Sequence, residues 1–238
     1  MTNLLRSKVL IFGASGTLGT ALAQTFSAQN WTVIGVSRHQ QQVQPDISRW
    51  IKWCCDEGED CSSGLDQNSI DAVVWSQGIN FNDSIRTVDL DVHASMYQVN
   101  VLSILESLQQ LLAGDVLTSN ARLCVISSIW QDMARENKLS YCITKSALRG
   151  LVRSLAADLG PEGKCINAVL PGALDTPMTR ANLTADQISR LQDITPLRSM
   201  PQMDDLCQVV EFLSSQRNTG LTGQFITADR GFSYAKYI

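Results

Sequence analysis

The chain has 238 residues, 44% hydrophobic and 18% charged, with a formal net charge of −4. That composition excludes a disordered chain, and the scattered basic residues exclude a surface for nucleic acid or anionic membrane. No apolar run approaches the roughly 18 residues a membrane span needs, and the polar start Met1 to Lys8 carries no secretory pattern, so a cytoplasmic protein with no membrane partner is expected.

In chain order, Val9 to Phe12 is a short buried strand and Gly13 to Gly19 a glycine turn. Thr17 to Gln29 is a helix with Leu18, Leu22 and Phe26 on one face, and Trp31 to Val36 is a second strand. This is a right-handed βαβ unit. A short third strand is expected near Trp50 to Cys54, inside the irregular stretch 41–66. Ile70 to Ser76 is the fourth strand. Val92 to Ala113 reads as one long helix through Met96, Val99, Leu102, Leu105 and Leu108. Arg122 to Ser127 is the fifth strand, Ser140 to Leu159 a helix, and Lys164 to Leu170 the sixth strand. Leu206 to Ser214 is a helix and Gln224 to Ala228 the last strand. Apolar strands alternating with helices specify an α/β chain: a single-domain Rossmann fold over residues 1–238, with a doubly wound parallel sheet and helices on both faces. Residues 174 to about 200 have the polar, broken pattern of a small substrate lid.

The seven cysteines lack paired metal-ligand spacing, and neither His39 nor His93 supplies an obvious partner, so no metal site is expected. Free thiols at apolar positions in a reducing compartment account for them.

Gly13-Ala14-Ser15-Gly16-Thr17-Leu18-Gly19 follows the first strand and opens a helix. Its glycines allow a tight turn and close backbone approach to a pyrophosphate, which the helix N-terminus then faces. A dinucleotide cofactor is thus expected on Gly13, Ser15, Gly16, Thr17, Leu18 and Gly19. An NAD site usually has an acid at the end of the second strand. Here that end is Ser37-Arg38, whose hydroxyl and guanidinium suit a 2′-phosphate and favour NADP (NADPH) over NAD. Asp56, after the third strand, is a candidate for the adenine amine.

Tyr141 and Lys145 are one helical turn apart, so they share a face. A tyrosine with a reference pKa of about 10 is a poor base, and a nearby ammonium is expected to lower that value. Ser127 and Ser128 stand 14 and 13 residues upstream, at a strand end.

With these residues on the page, the chain resembles the short-chain dehydrogenase/reductase family. The glycine turn, the strand-end serine, Tyr141-x-x-x-Lys145 and Pro171-Gly172-Ala173-Leu174-Asp175-Thr176 come in the family's order, and the resemblance spans Val9 to about Gly231. It implies Tyr141 as acid/base and Lys145 as the group that lowers its pKa and bonds the nicotinamide ribose. Ser128 would hold the substrate oxygen, and Asn100 would support a water-linked proton relay to the lysine. Pro171 and Gly172 would pass the nicotinamide, and Thr176 would contact its carboxamide or a nearby phosphate. Ser76, Gln77 and Gly78 stand where the family usually has Asn-Ala-Gly in Asn-Asn-Ala-Gly, so Gly78 keeps close cofactor approach while the structural asparagine is absent. The glycine steps of three and three resemble the extended branch of the family, whereas the length and C-terminal pattern fit the short one.

The expected activity is NADP(H)-dependent interconversion of a carbonyl and a secondary alcohol on a small molecule. Candidate substrate residues are Ser128, Trp130, Gln131 and Met178, with Asn80 on the loop after the fourth strand. Mixed polar and apolar walls suit a hydroxylated or modestly polar compound better than a long acyl chain. The resemblance also implies a homodimer or homotetramer built on the helices Val92 to Ala113 and Ser140 to Leu159. Two other readings use the same residues: a non-catalytic NADP-binding sensor or structural protein, and a Tyr/Lys-dependent epimerase or dehydratase.

Overall fold

A computed structural model of the chain describes residues 6–39, 44–55, 57–176, 179–180 and 184–234. Its strands are β1 (Lys8–Phe12), β2 (Thr32–Ser37), β3 (Arg49–Lys52), β4 (Ile70–Trp75), β5 (Leu117–Ile126), β6 (Cys165–Pro171) and β7 (Phe225–Ala228). Its helices are α1 (Thr17–Ala28), α2 (Leu90–Tyr97), α3 (Ser103–Ala113), α4 (Leu139–Leu159), α5 (Ala185–Ile194) and α6 (Met203–Ser214). The strands form one sheet in the order β3-β2-β1-β4-β5-β6-β7, every pair parallel. The order reverses between β1 and β4, which opens a crevice at their carboxyl ends.

Alternation along the strands sends side chains to two cores. Leu10, Phe12, Val73, Trp75, Leu123 and Val125 face α3 and α4, through Ile104, Leu108, Leu148 and Val152. Val9, Ile11, Ala72, Val74 and Cys124 face α1 and α6, through Leu22, Phe26, Leu206 and Val210. Helices on both faces and a parallel sheet are as the sequence pattern predicts.

Two elements differ from that pattern. The expected helix Val92 to Ala113 starts earlier and is not continuous. Asp89 caps it, its carboxylate accepting from Asp91 N and Val92 N at 2.9 and 3.2 Å, and a π turn over Gln98–Leu102 separates α2 from α3. The fifth strand begins at Leu117 rather than Arg122. Exposed Ser119 and Asn120 hide its start from any apolar pattern, and the register with β4 shifts between Ile70 and Ala72.

Candidate active site

The parallel register brings Phe12, Val36, Trp75, Val125 and Pro171 to one edge of the sheet, so the loops that follow them share it. Gly13 turns there with φ of +74°, which favours glycine, and its N–H donates to Val36 O at 3.0 Å. A Cβ on Gly13 would lie 2.7 Å from Gln77 N, and one on Gly19 would lie 2.2 Å from Gly13 O. The glycines thus hold the first turn, the end of β4 and α1 in mutual contact. Gly16 is the N-cap of α1, and no side chain caps that end. Its first-turn amides therefore have no intrahelical partner and point outward. Ser15, Gly16 and Thr17 are exposed, Leu18 is half-buried and Gly19 is buried.

At the end of β2, Ser37 is buried and its hydroxyl donates to His39 O at 2.5 Å, while Arg38 is exposed. At the end of β4, the Ser76 hydroxyl donates to Phe12 O at 2.6 Å, tying β4 to β1. Gln77 donates to Ser103 Oγ at 3.0 Å and leaves its own buried Oε1 without a hydrogen-bond partner. Gly78 borders both Asn100 and Lys145.

Asn100 is buried in the π turn, an irregularity often found at functional sites. Its Oδ1 accepts from Ile79 N at 2.9 Å, and its Nδ2 donates to Ile79 O at 3.0 Å and Thr144 Oγ1 at 3.1 Å. The side chain therefore ties the loop after β4 to α4, and those bonds occupy its amide. The sequence gave no sign of Thr144 as that partner.

Ser128 follows β5 in extended backbone and starts a short turn, its Oγ accepting from Trp130 N at 3.3 Å. It also makes a hydrogen-bonding contact with the Tyr141 phenol that draws the phenol's pKa down. Lys145 Nζ lies 5.7 Å from the Tyr141 ring centroid and donates to Ile126 O at 3.0 Å. Ser128, Tyr141, Lys145 and Asn100 therefore meet at the sheet edge that carries the glycine turn.

One electrostatic expectation is corrected. Tyr141 has a pKa raised above 10, because burial of its hydroxyl end outweighs the Ser128 contact. Burial outweighs any stabilisation of the phenolate by Lys145. The amine is itself buried, and desolvation brings its pKa down to about 8. At neutral pH the pair is a protonated phenol beside an ammonium.

Other candidates are placed differently. Gln131 is buried, its Oε1 accepting from Ser127 Oγ at 2.9 Å and its amide donating to Asp132 Oδ1 at 3.4 Å. Its side chain anchors the turn, and Ser127 is tied to it. Trp130 is half-buried, with the Arg135 guanidinium 5.9 Å from its ring. Pro171 is buried at the end of β6, and Gly172 N donates to Ala228 O at 3.2 Å. The Thr176 hydroxyl accepts from Thr179 N at 3.2 Å. Asp56 and Met178 lie outside the described residues.

Two residues that the sequence did not single out stand beside the site. Asp83 holds the start of α4: its Oδ1 accepts from Ser140 N at 3.0 Å and its backbone O from Leu139 N at 3.2 Å. Lys138 Nζ donates to Asn80 Oδ1 at 2.8 Å and lies 6.0 Å from the Tyr141 ring centroid.

Residues 62–233 match the family model described as enoyl-(acyl carrier protein) reductase. The chain belongs to the short-chain dehydrogenase/reductase family. It is similar to the uncharacterized oxidoreductase YmfI of Bacillus subtilis, 25% identical over 94% of this chain and 97% of the relative. It is also similar to the L-xylulose reductase of Bos taurus, 24% identical over 94% of this chain and 96% of the relative. A gluconate 5-dehydrogenase from Burkholderia cenocepacia, solved in complex with NADP and tartrate, superposes with a TM-score of 0.85 at 20% identity, covering 97% of this chain and 96% of the other. Among the described residues no helix is long and apolar enough to cross a membrane, and no group of three or more potential ligands could hold a metal ion.

Proposed function

We propose that the chain is an NADP(H)-dependent oxidoreductase that interconverts a carbonyl and a secondary alcohol on a small molecule. The observation that carries this reading is the convergence of Ser128, Tyr141 and Lys145 at the sheet edge bearing the glycine turn.

The residues fit the cofactor. The uncapped first turn of α1 offers amide donors to a pyrophosphate. Gly13 and Gly19 let the backbone lie flat against it, and exposed Arg38 beside Ser37 suits a 2′-phosphate. Ser76 to Gly78, Pro171 and Gly172 border the nicotinamide end. Several superposable structures, including that of the gluconate 5-dehydrogenase, hold NADP or NADPH, which favours this cofactor over NAD.

When bound, the nicotinamide supplies or accepts a hydride. The protein's part is orientation and proton transfer. Ser128 donates to the substrate oxygen as negative charge builds on it. Tyr141 gives that oxygen its proton, for which a phenol protonated at neutral pH is suited. Lys145 stabilises the phenolate left behind, and Asn100 fixes the loop against which the ring must sit. In reverse, the phenolate removes the proton of an alcohol.

Residues 184 to about 200 would supply part of the wall beside the substrate. The outward Leu102, Leu105 and Ile143 are exposed apolar residues on the two long helical segments, which supports a homodimer or homotetramer. Free, dispersed cysteines suit a reducing cytoplasm. The test is a carbonyl panel with NADPH, read by loss of its absorbance, repeated with Tyr141→Phe. Turnover by the wild type and not the variant supports the reading. Tight NADPH binding with no turnover across the panel contradicts it and leaves the sensor.

A further inference from the structure

We propose that Lys138 and Arg135 form an oxyanion-binding subsite at the mouth beside Tyr141, so that the substrate is a carbonyl compound carrying a carboxylate or phosphate. This rests on the carbonyl–alcohol reading of the same site.

The protein is acidic, with a net charge of −4, and several of its cations pair with carboxylates. Lys52, Arg149, Lys164, Arg180, Arg217 and Arg230 each reach a carboxylate. Neither Lys138 nor Arg135 forms an ion pair with a carboxylate among the described residues. Lys138 is half-buried, fixed on Asn80 Oδ1 at 2.8 Å, and stands 6.0 Å from the ring that would protonate the substrate. Arg135 lies over Trp130, two residues past Ser128.

The acids nearby are already engaged. Asp83 accepts from Ser140 N, and Asp132 pairs with Arg149. Glu136 is exposed and forms no ion pair with either cation. Desolvation, then the charge of Arg135, lowers the Lys138 pKa, and the opposing influence of Asp83 is the weakest cause. Two like charges close enough to disfavour one another are stabilised by an anion between them. The neutral Asn80 fixes the ammonium without cancelling its charge. An oxyanion bound there puts a carbonyl a few bonds away near Ser128 and Tyr141.

The test compares matched substrates with NADPH: 4-oxopentanoate against its methyl ester, and hydroxyacetone phosphate against hydroxyacetone. The wild type should favour at least one anion over its neutral partner by roughly ten- to hundredfold in kcat/KM. Lys138→Met should remove that preference through KM and leave the neutral compounds within about twofold. Lys138→Arg should restore part of it. Which anion is preferred distinguishes carboxylate from phosphate. Equal loss for charged and neutral compounds in Lys138→Met would overturn the proposal, since the lysine would then act on the fold or on Tyr141. So would turnover only of a thioester tethered to an acidic carrier protein, with free anions indifferent.

Calorimetric binding of the two anionic probes separates this proposal from the one beneath it. Lys138-dependent binding without NADPH oxidation on any carbonyl would remove the reductase reading and keep the subsite. Turnover of neutral carbonyls with no Lys138-dependent binding would do the reverse. Absence of binding and turnover for both anions would overturn the subsite.

Discussion

The Lys145 ammonium lies 5.7 Å from the centroid of the Tyr141 ring, yet burial is the larger influence on the phenol's pKa. Burial governs both groups and pushes them towards their neutral forms: the phenol up, the amine down to about 8. The pair is therefore organised for proton donation at neutral pH, with the ammonium placed to stabilise charge that appears only as the proton leaves.

Tyr141→Phe should lower kcat by about 10² to 10⁴-fold, the usual range for a lost acid/base group. NADPH affinity should change little, because the ring stays and only the hydroxyl goes. Steady-state rates beside a fluorescence titration of NADPH check both halves. A variant that retains a third of the activity would remove Tyr141 from the chemistry.

The pH dependence follows from the free enzyme's groups, which kcat/KM reports. Carbonyl reduction needs a protonated Tyr141, whose pKa is raised above its ordinary value, and a charged Lys145, present below about 8. Hence kcat/KM for reduction should be flat near neutrality and fall as pH rises past about 8. Lys145→Arg, which keeps its charge, should lose that fall if it remains active. A wild-type profile level from pH 7 to 10 would contradict the assignment.

Lys145 also makes a stability prediction. Its folded pKa of about 8 is below the ordinary 10.5, so between those values the unfolded chain binds more protons and stability rises with pH. Below about 8 the cost of burying the ammonium is fully present. Lys145→Met should therefore be more stable than wild type at pH 7, by about 3 kcal/mol at most at 1.36 kcal/mol per pKa unit. The gap should narrow by pH 9.5. Urea unfolding of both proteins at the two pH values measures it, and the difference cancels the cysteines, which are common to both. A gap independent of pH would refute the burial argument.

The sequence made the sheet and its two helical layers legible, because periodicity acts locally, whereas the grouping of Ser128 with Tyr141 and Lys145 came from the family resemblance. What it concealed depends on tertiary contact. The π turn around Asn100 arises inside an unbroken apolar pattern, where nothing local distinguishes it. Asp83 caps α4 from 57 residues away, so no capping signal stands beside Ser140. The bond between Gln131 and Ser127, four residues apart, depends on how the turn after β5 folds. The sign of the Tyr141 shift was missed because charge is visible in sequence and desolvation is not.

Arg38→Ala should raise the KM for NADPH by roughly tenfold and leave that for NADH nearly unchanged, as expected for an exposed charge-assisted contact with a 2′-phosphate. Kinetics with the two cofactors at saturating carbonyl substrate measure this. Equal effects on both, or a wild type that prefers NADH, would make the end of β2 something other than a phosphate site.

The central claim is hydride delivery to a carbonyl carbon with Tyr141 supplying the proton. It is tested most directly by incubating the enzyme with carbonyl substrates and NADPH deuterated at nicotinamide C4, using both C4 epimers, and weighing the products. The account predicts an alcohol carrying one deuterium on its carbinol carbon with one epimer, formed by wild type and lost in Tyr141→Phe. Product formed with the label still on the cofactor would contradict it and point to an epimerase or dehydratase.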